Sequence, residues 1–289
     1  MTRSLAAPIG VADLVRQRAR AQPDAPAITD GDLHLTCAQL QARVSRLALA
    51  LRAAGVAPGE RVAVLSENRV EYIELELAAA QLGAIVACLN WRLSDGELQH
   101  CIRLVAPRLL VVSPRWRDTL ARLDHGVPQV VELGKAFERL RATAPEGDID
   151  EVVDPEAGLV ILYTSGTTGL PKGALISQRA MVARAQVFAS DYGIGGQDGF
   201  IAWSPLFHMA ATDHALATLM LGGHVFVQDG LDLPRLCRLL ATERLGWLLA
   251  MPGMIEPLID ALKAQAVVVR SLRMVGAMAD LVPLQQIAD

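Results

Sequence analysis

The chain predicts an α/β fold in which helices are layered on largely parallel sheet. Three observations carry this. Short apolar runs alternate with helical patterns along most of the 289 residues. Those runs are almost continuously apolar, as in RVAVL at Arg61–Leu65, which suits buried strands. At 52% hydrophobic residues and a formal charge of −4, the chain has ample material for a core and lacks the composition of disorder.

The elements follow in order. Val11 to Ala21 has the pattern of a short amphipathic helix. Ala27–Thr29 and His34–Thr36, joined by Asp30-Gly31-Asp32, read as a hairpin. Thr36 with Gln39 is a capping-box signal for a helix carrying Leu40, Val44, Leu47 and Leu51 on one face, and Gly55 closes it. Arg61–Leu65 is a strand, Val70–Leu82 a helix and Ala84–Leu89 a strand. Ser94 and Glu97 cap the next helix, which runs to about Leu104. Leu109–Val112, Gln129–Glu132 and Leu159–Tyr163 are strands, and Ser177 can cap the helix after them. Further strands are expected at Phe200–Trp203, His224–Val227, Trp247–Met251 and Leu272–Val275, with helices between.

The acidic stretch Asp148 to Glu156, with Pro155, is the best boundary. It divides the chain into a first α/β subdomain, 1–155, and a second, 156–289. The last strand is followed by a turn at Gly276-Ala277-Met278-Ala279 and the start of a helix at Leu281–Ala288. Parallel sheets place their ligand crevice at the carboxyl ends of strands. The chain stops just past such a turn, so the second subdomain reads as incomplete.

Composition excludes several classes. The small negative charge gives no electrostatic reason to expect nucleic acid or an anionic membrane as partner. Cys37, Cys88, Cys101 and Cys237 form no CxxC pair, so neither a zinc site nor a disulfide framework is expected and a cytoplasmic location is the default. No transmembrane segment is expected: Leu77–Leu89 and Ala215–Val227 are too short and are interrupted by polar residues or glycine. Pro8 and Gly10 break the weakly apolar start, which argues against a signal peptide.

One segment concentrates chemistry: YTSGTTGLPKG, Tyr163 to Gly173, directly after a strand. Glycines let backbone N–H groups wrap an anion, hydroxyls add adjustable donors, and lysine adds a mobile positive charge. That is the inventory of a polyphosphate cradle. Lys172 is one of only three lysines, with Lys135 and Lys263. A polar surface turn is the plain alternative, but the preceding buried strand and the lysine argue against it. The P-loop of nucleotide hydrolases, GxxxxGK[ST], is rejected. Pro171 stands where its second glycine would be, and Gly173 replaces the hydroxyl that would hold magnesium.

The segment resembles the phosphate-binding loop of the adenylate-forming superfamily: acyl-CoA synthetases, adenylation domains of peptide synthetases, and luciferases. Ser204 to Met209 (SPLFHM) is similar to the family's PLFH segment. Asn90-Trp91-Arg92-Leu93 with Glu97 is similar to its NWRLS…EL segment, and Leu272 to Met278 (LRMVGAM) to the strand and turn that meet adenine. The resemblance spans essentially the whole chain. It implies a layered αβαβα arrangement of mainly parallel sheets, the N-terminal portion of a larger domain, with the C-terminal lid domain absent.

The resemblance also implies a reaction. A carboxylate attacks the α-phosphorus of ATP, giving acyl-adenylate and pyrophosphate, and a thiol, usually that of coenzyme A, then takes the acyl group. Thr164, Ser165, Gly166, Thr167, Thr168, Gly169 and Lys172 would hold the phosphates, with Lys172 also acting in catalysis. Gly276, Ala277 and Met278 would meet adenine. Phe207, His208, Met209, Thr212 and Met251 would line the acyl pocket. His208 would lie beside the carboxylate, with no proton to remove, since the acid is already ionised at pH 7. Read without the resemblance, His208 fits a core histidine at least as well. His100, His125 and His224 read as structural, and Asp213 and His214 as solvated or polar-core positions.

Amino-acid-activating domains carry a carboxylate where His208 stands, so a fatty or aromatic acid is expected instead. Mg2+ should accompany ATP, but the family's metal-holding glutamate, ribose aspartate, hinge and second lysine match nothing in this chain. No metal ligand is therefore expected in it, and the 289 residues alone should be nearly inactive. Two other readings stay open: an adenylate former that loads a carrier protein or acts like a luciferase, and a non-catalytic fragment that only binds nucleotide. Homo-oligomerisation also stays open.

Overall fold

The structure, a computed structural model, describes residues 9–145, 149, 152–164 and 169–277. Helix α1 (Val11–Ala21) leads into a hairpin of β1 (Pro26–Asp30) and β2 (Leu33–Thr36). Then α2 (Cys37–Ala53), β3 (Arg61–Leu65), α3 (Val70–Leu82), β4 (Ile85–Cys88), α4 (Asp95–Val105) and β5 (Leu109–Val112) alternate. A 3-10 turn at Pro114–Trp116 and the short α5 (Arg117–Ala121) precede β6 (Val130–Glu132) and α6 (Lys135–Ala142). Next come β7 (Gly158–Thr164), β8 (Lys172–Ser177), α7 (Gln178–Tyr192), β9 (Gly199–Ala202) and α8 (Met209–Leu221). The described chain ends with β10 (Val225–Val227), α9 (Leu233–Thr242), β11 (Arg244–Ala250), α10 (Ile255–Ala264) and β12 (Ser271–Ala277).

The helix starts are set by the caps read from sequence. The Thr36 hydroxyl accepts from Gln39 N at 3.3 Å, and the Gln39 side chain accepts from Thr36 N at 2.9 Å. Ser94 and Glu97 repeat this reciprocal pair at α4, and Ser177 caps α7 by accepting from Ala180 N.

Two six-stranded sheets result, with orders β12-β11-β9-β10-β1-β2 and β6-β5-β3-β4-β7-β8. All ladders are parallel except β1–β2 and β7–β8. Strand alternation sorts side chains to the two faces of each sheet. Val62 and Val64 of β3 face the central core, whereas Ala63 and Leu65 face the cluster under α4. Likewise Phe200 and Ala202 of β9 face the centre, and Ile201 joins the cluster under α9 and α10. The layers are therefore α, sheet, α, sheet, α, as expected. Twelve of the thirteen residues of α3 are buried, which places it in the central layer between the sheets.

The sequence predicts a turn from Gly276, whereas Gly276 and Ala277 continue β12 in register with Leu249 and Ala250, and two further pairings go beyond the sequence reading. The stretch Lys172–Ser177, to which the sequence assigns no element, returns antiparallel along β7 as the edge strand β8. Its exposed positions, Lys172 to Leu175, lack the apolar pattern that marks a buried strand. The N-terminal hairpin joins a larger sheet, with β1 adding in parallel to β10. Each sheet thus takes strands from both sides of residue 155, so a division there does not separate one sheet from the other. Asp148, Asp150 and Glu151 of the expected boundary lie outside the described residues.

Candidate active site

The carboxyl ends of the two sheets approach each other. Past β5, Arg115 meets Asp229, past β10, at 2.6 Å. Near that seam a cleft of about 450 Å³ opens, and three separate segments line it. Tyr163, Thr164, Gly169 and Pro171 come from the hairpin of β7 and β8. Asn90, Leu93 and Glu97 come from the stretch that starts α4. His208 comes from the residue that opens α8.

The hairpin is braced from α4. The Tyr163 hydroxyl donates to the Cys101 carbonyl at 3.0 Å, and the His100 ring N–H donates to the Pro171 carbonyl at 3.2 Å. Burial pushes the Tyr163 phenol well above its ordinary range, so it stays neutral. Gly169 has φ of +100° with open space where a side chain would stand, so backbone alone faces the cleft there. Thr164 and Lys172 pair across the hairpin. Both are exposed, and the Lys172 side chain makes no hydrogen bond or ion pair among the described residues. An uncommitted ammonium beside a glycine-lined loop suits an anion.

On the other wall, His208 is the N-cap residue of α8, so the positive end of that helix points to the same place. Partial desolvation in the cleft, then the Arg92 guanidinium, pushes the His208 imidazole below its ordinary value. It is neutral at pH 7 and able to share a hydrogen bond without holding a proton against a carboxylate. Behind it, Phe207 is buried edge-on against Trp91, with ring centroids 5.5 Å apart, and Trp91 stacks on Trp116 at 5.0 Å. The Glu97 carboxylate accepts from the Ser94 hydroxyl and backbone, which hold its pKa below the ordinary range.

The remaining sequence-predicted residues spread more widely. Met209 begins α8, half-buried. Thr212, one turn later, is fully buried; its hydroxyl donates to the Leu206 carbonyl and lies 3.4 Å from Glu76 Oε1. Met251 follows β11, and Gly276 and Ala277 end β12, where Ala250 and Ala277 are in register. These three lie at carboxyl strand ends but do not line the cleft. A Cβ on Gly276 would come within 2.3 Å of the Trp247 ring, so close packing by itself explains that glycine. Ser165, Gly166, Thr167, Thr168 and Met278 lie outside the described residues.

His214 is buried at 4% exposure and stacked between Phe188 and Trp247, with ring centroids 4.4 Å from each. Its Nδ1 donates to Ala210 O and Asp213. Sequence reading takes His100 as structural and gives Tyr163 no separate role; both brace the hairpin through partners 71 and 62 positions away. Among the described residues no three His, Cys, Asp or Glu gather in a group that could hold a metal ion. No described helix is long and apolar enough to cross a membrane.

Comparison with known proteins agrees with this geometry. The family model for AMP-binding enzymes matches residues 15–287. A feruloyl-CoA synthase from Amycolatopsis sp is 34% identical over 247 residues, 83% of this chain and 48% of that protein. An indoleacetate–CoA ligase from Aromatoleum aromaticum is 31% identical over 292 residues, 96% of this chain and 57% of that protein. The crystal structure of the N-terminal domain of FACL13 from Mycobacterium tuberculosis superposes with a TM-score of 0.88 at 24% identity. It covers 96% of this chain and 72% of that one, a likeness of fold. The chain spans about half the length of the curated relatives it matches. The chain belongs to the AMP-binding enzyme family.

Proposed function

We propose that the protein carrying this chain activates a fatty or aromatic carboxylic acid with ATP and passes the acyl group to coenzyme A. The observation that carries this is the single cleft in which Thr164, Gly169 and Pro171 face His208 at the start of α8. A carboxylate oxygen attacks the α-phosphorus, the bond to the β-phosphate bridging oxygen breaks, and pyrophosphate leaves. The thiol sulfur then attacks the acyl carbon, AMP departs, and the thiol proton is lost to solvent. The protein's share is positioning and charge neutralisation. Thr164 and Lys172 hold departing phosphate oxygens, with the hydroxyls and glycines of 165–168 completing the loop. Neutral His208 and the positive end of α8 orient the carboxylate. Gly276, Ala277 and Met278 receive adenine, and Phe207, Met209 and Met251 back the acyl group.

The acid class draws support from two sources. His208 gives an α-ammonium group no carboxylate to pair with, and the two curated relatives are named for feruloyl and indoleacetate, both aromatic acids. The test is acid-dependent exchange of labelled pyrophosphate into ATP. Aryl acids, medium-chain fatty acids and α-amino acids would be compared, followed by acyl transfer to coenzyme A or to a carrier protein. Exchange with aryl or fatty acids and transfer to coenzyme A is the expected result. Exchange only with amino acids, or none with any acid, would overturn the reading. The 289 residues assayed by themselves are expected to exchange slowly, because they span about half of the relatives' length.

A further inference from the structure

Three residues past β3, in the run Ser66-Glu67-Asn68, a buried amide reaches across the seam between the sheets. Asn68 is 6% exposed. Its Nδ2 donates to the carbonyls of Ser204 at 2.7 Å, Ala202 at 2.9 Å and Gln228 at 3.2 Å. Its Oδ1 accepts from the Leu206 N–H at 2.8 Å. One side chain thus fixes the ends of β9 and β10 and both sides of the turn at Pro205, with both amide hydrogens shared among three carbonyls and the amide oxygen accepting one N–H.

That turn cannot satisfy itself. Pro205 has no N–H, and Ser204 and Leu206 are buried, so water does not reach their backbone groups. Leu206 lies two residues before His208. The His208 N–H donates back to Pro205 O at 3.0 Å, and the His208 carbonyl accepts from Ala211 and Thr212 to start α8. Whatever holds Ser204 and Leu206 therefore sets where the His208 ring and the N-terminus of α8 stand in the cleft.

We infer that Asn68 is a positioning residue for His208, tying the turn that presents the imidazole on one sheet to the strand end of the other. The kinetic side of this rests on the cleft being where the acid reacts, as proposed above. The variants are Asn68→Ala and the equal-sized Asn68→Asp, which loses the amide donors, made in the whole protein with and without His208→Ala. Displacing a reacting partner by about 1 Å can cost 100-fold, so kcat is expected to fall roughly 10- to 100-fold, with KM for ATP held within about two-fold. In the His208→Ala background the same change should cost less than about three-fold more, because both substitutions remove one effect. A residue serving only the fold would give equal losses in both backgrounds.

A second readout needs no turnover. The His208 imidazole resonance, assigned by its loss in His208→Ala, is expected to move in the Asn68 variants while that of His34 stays. If the wild-type protein forms no acyl-adenylate, the functional reading fails and the resonance still decides the role of Asn68. An unmoved His208 resonance in a folded variant, additive kinetic losses, or failure of both variants to fold would overturn the inference.

Discussion

At the scale of single residues, the cleft depends on a few side chains with no other occupation. Lys172 is exposed, unpaired among the described residues and next to the glycine-lined turn. Lys172→Ala is therefore expected to raise KM for ATP roughly 10- to 100-fold, since charge-assisted contacts to phosphate contribute about 1.5–3 kcal/mol each. KM for the acid should stay within a few-fold. Initial-rate kinetics with each substrate varied in turn would show this, and equal loss toward both would sink the assignment. Thr164, Gly169 and Lys172 were legible as candidates because they sit in a run whose residue types describe an anion cradle, and His208 only through the resemblance of SPLFHM to a family segment. Asn68 and His100 were not. A lone asparagine after a strand, or a histidine on a helix, has no local pattern, and its partners lie more than 70 positions away or more.

At the scale of elements, sequence was most informative where local chemistry decides the outcome. The caps at Thr36, Ser94 and Ser177 and the strand Arg61–Leu65 are where the residues place them. It was least informative for β8, whose ladder depends on its partner β7 and not on any pattern of its own. Gly276 poses the same question in β12. Its closest approach is to Trp247 of the neighbouring strand, so Gly276→Ala must push that ring aside. Overpacking of this kind typically costs about 1–3 kcal/mol. A lower unfolding midpoint together with a shifted tryptophan emission maximum is the expected result. An unchanged spectrum and midpoint, with only ATP affinity reduced, would assign the glycine to nucleotide binding alone.

At the scale of the molecule, stability carries a pH signature from the central helix layer. Glu76 is fully buried, and its Oε2 has no hydrogen-bond partner among the described residues. Burial raises its pKa from 4.5 to about 8, against weaker opposing contacts from Thr212 and Cys88. Between those values the folded protein keeps a proton that the unfolded chain has released. Stability from this group is thus fully present below 4.5 and declines as pH rises to about 8, by at most about 1.4 kcal/mol per pH unit. Glu76→Gln resembles the protonated form. It should match the wild type near pH 5 and exceed it in thermal midpoint near pH 8, by about 2–4 °C per kcal/mol for a domain near this size. Parallel midpoint curves across that range would refute the assignment. The layered arrangement was readable from alternation alone. The interleaving of the sheets was not, because strand order is settled by contacts between distant segments.

That interleaving has a consequence for how the protein comes into being. Ile28 pairs with Val225, so β1 must wait for a neighbour about 200 residues further along. At the usual ribosomal pace of about 5–20 residues per second, the wait is on the order of 10–40 s. Throughout it, the β1 edge that will meet β10 has no partner and can pair with the same edge of another nascent chain. Crowding on the polysome is then the stage at which this architecture is most exposed to misassembly.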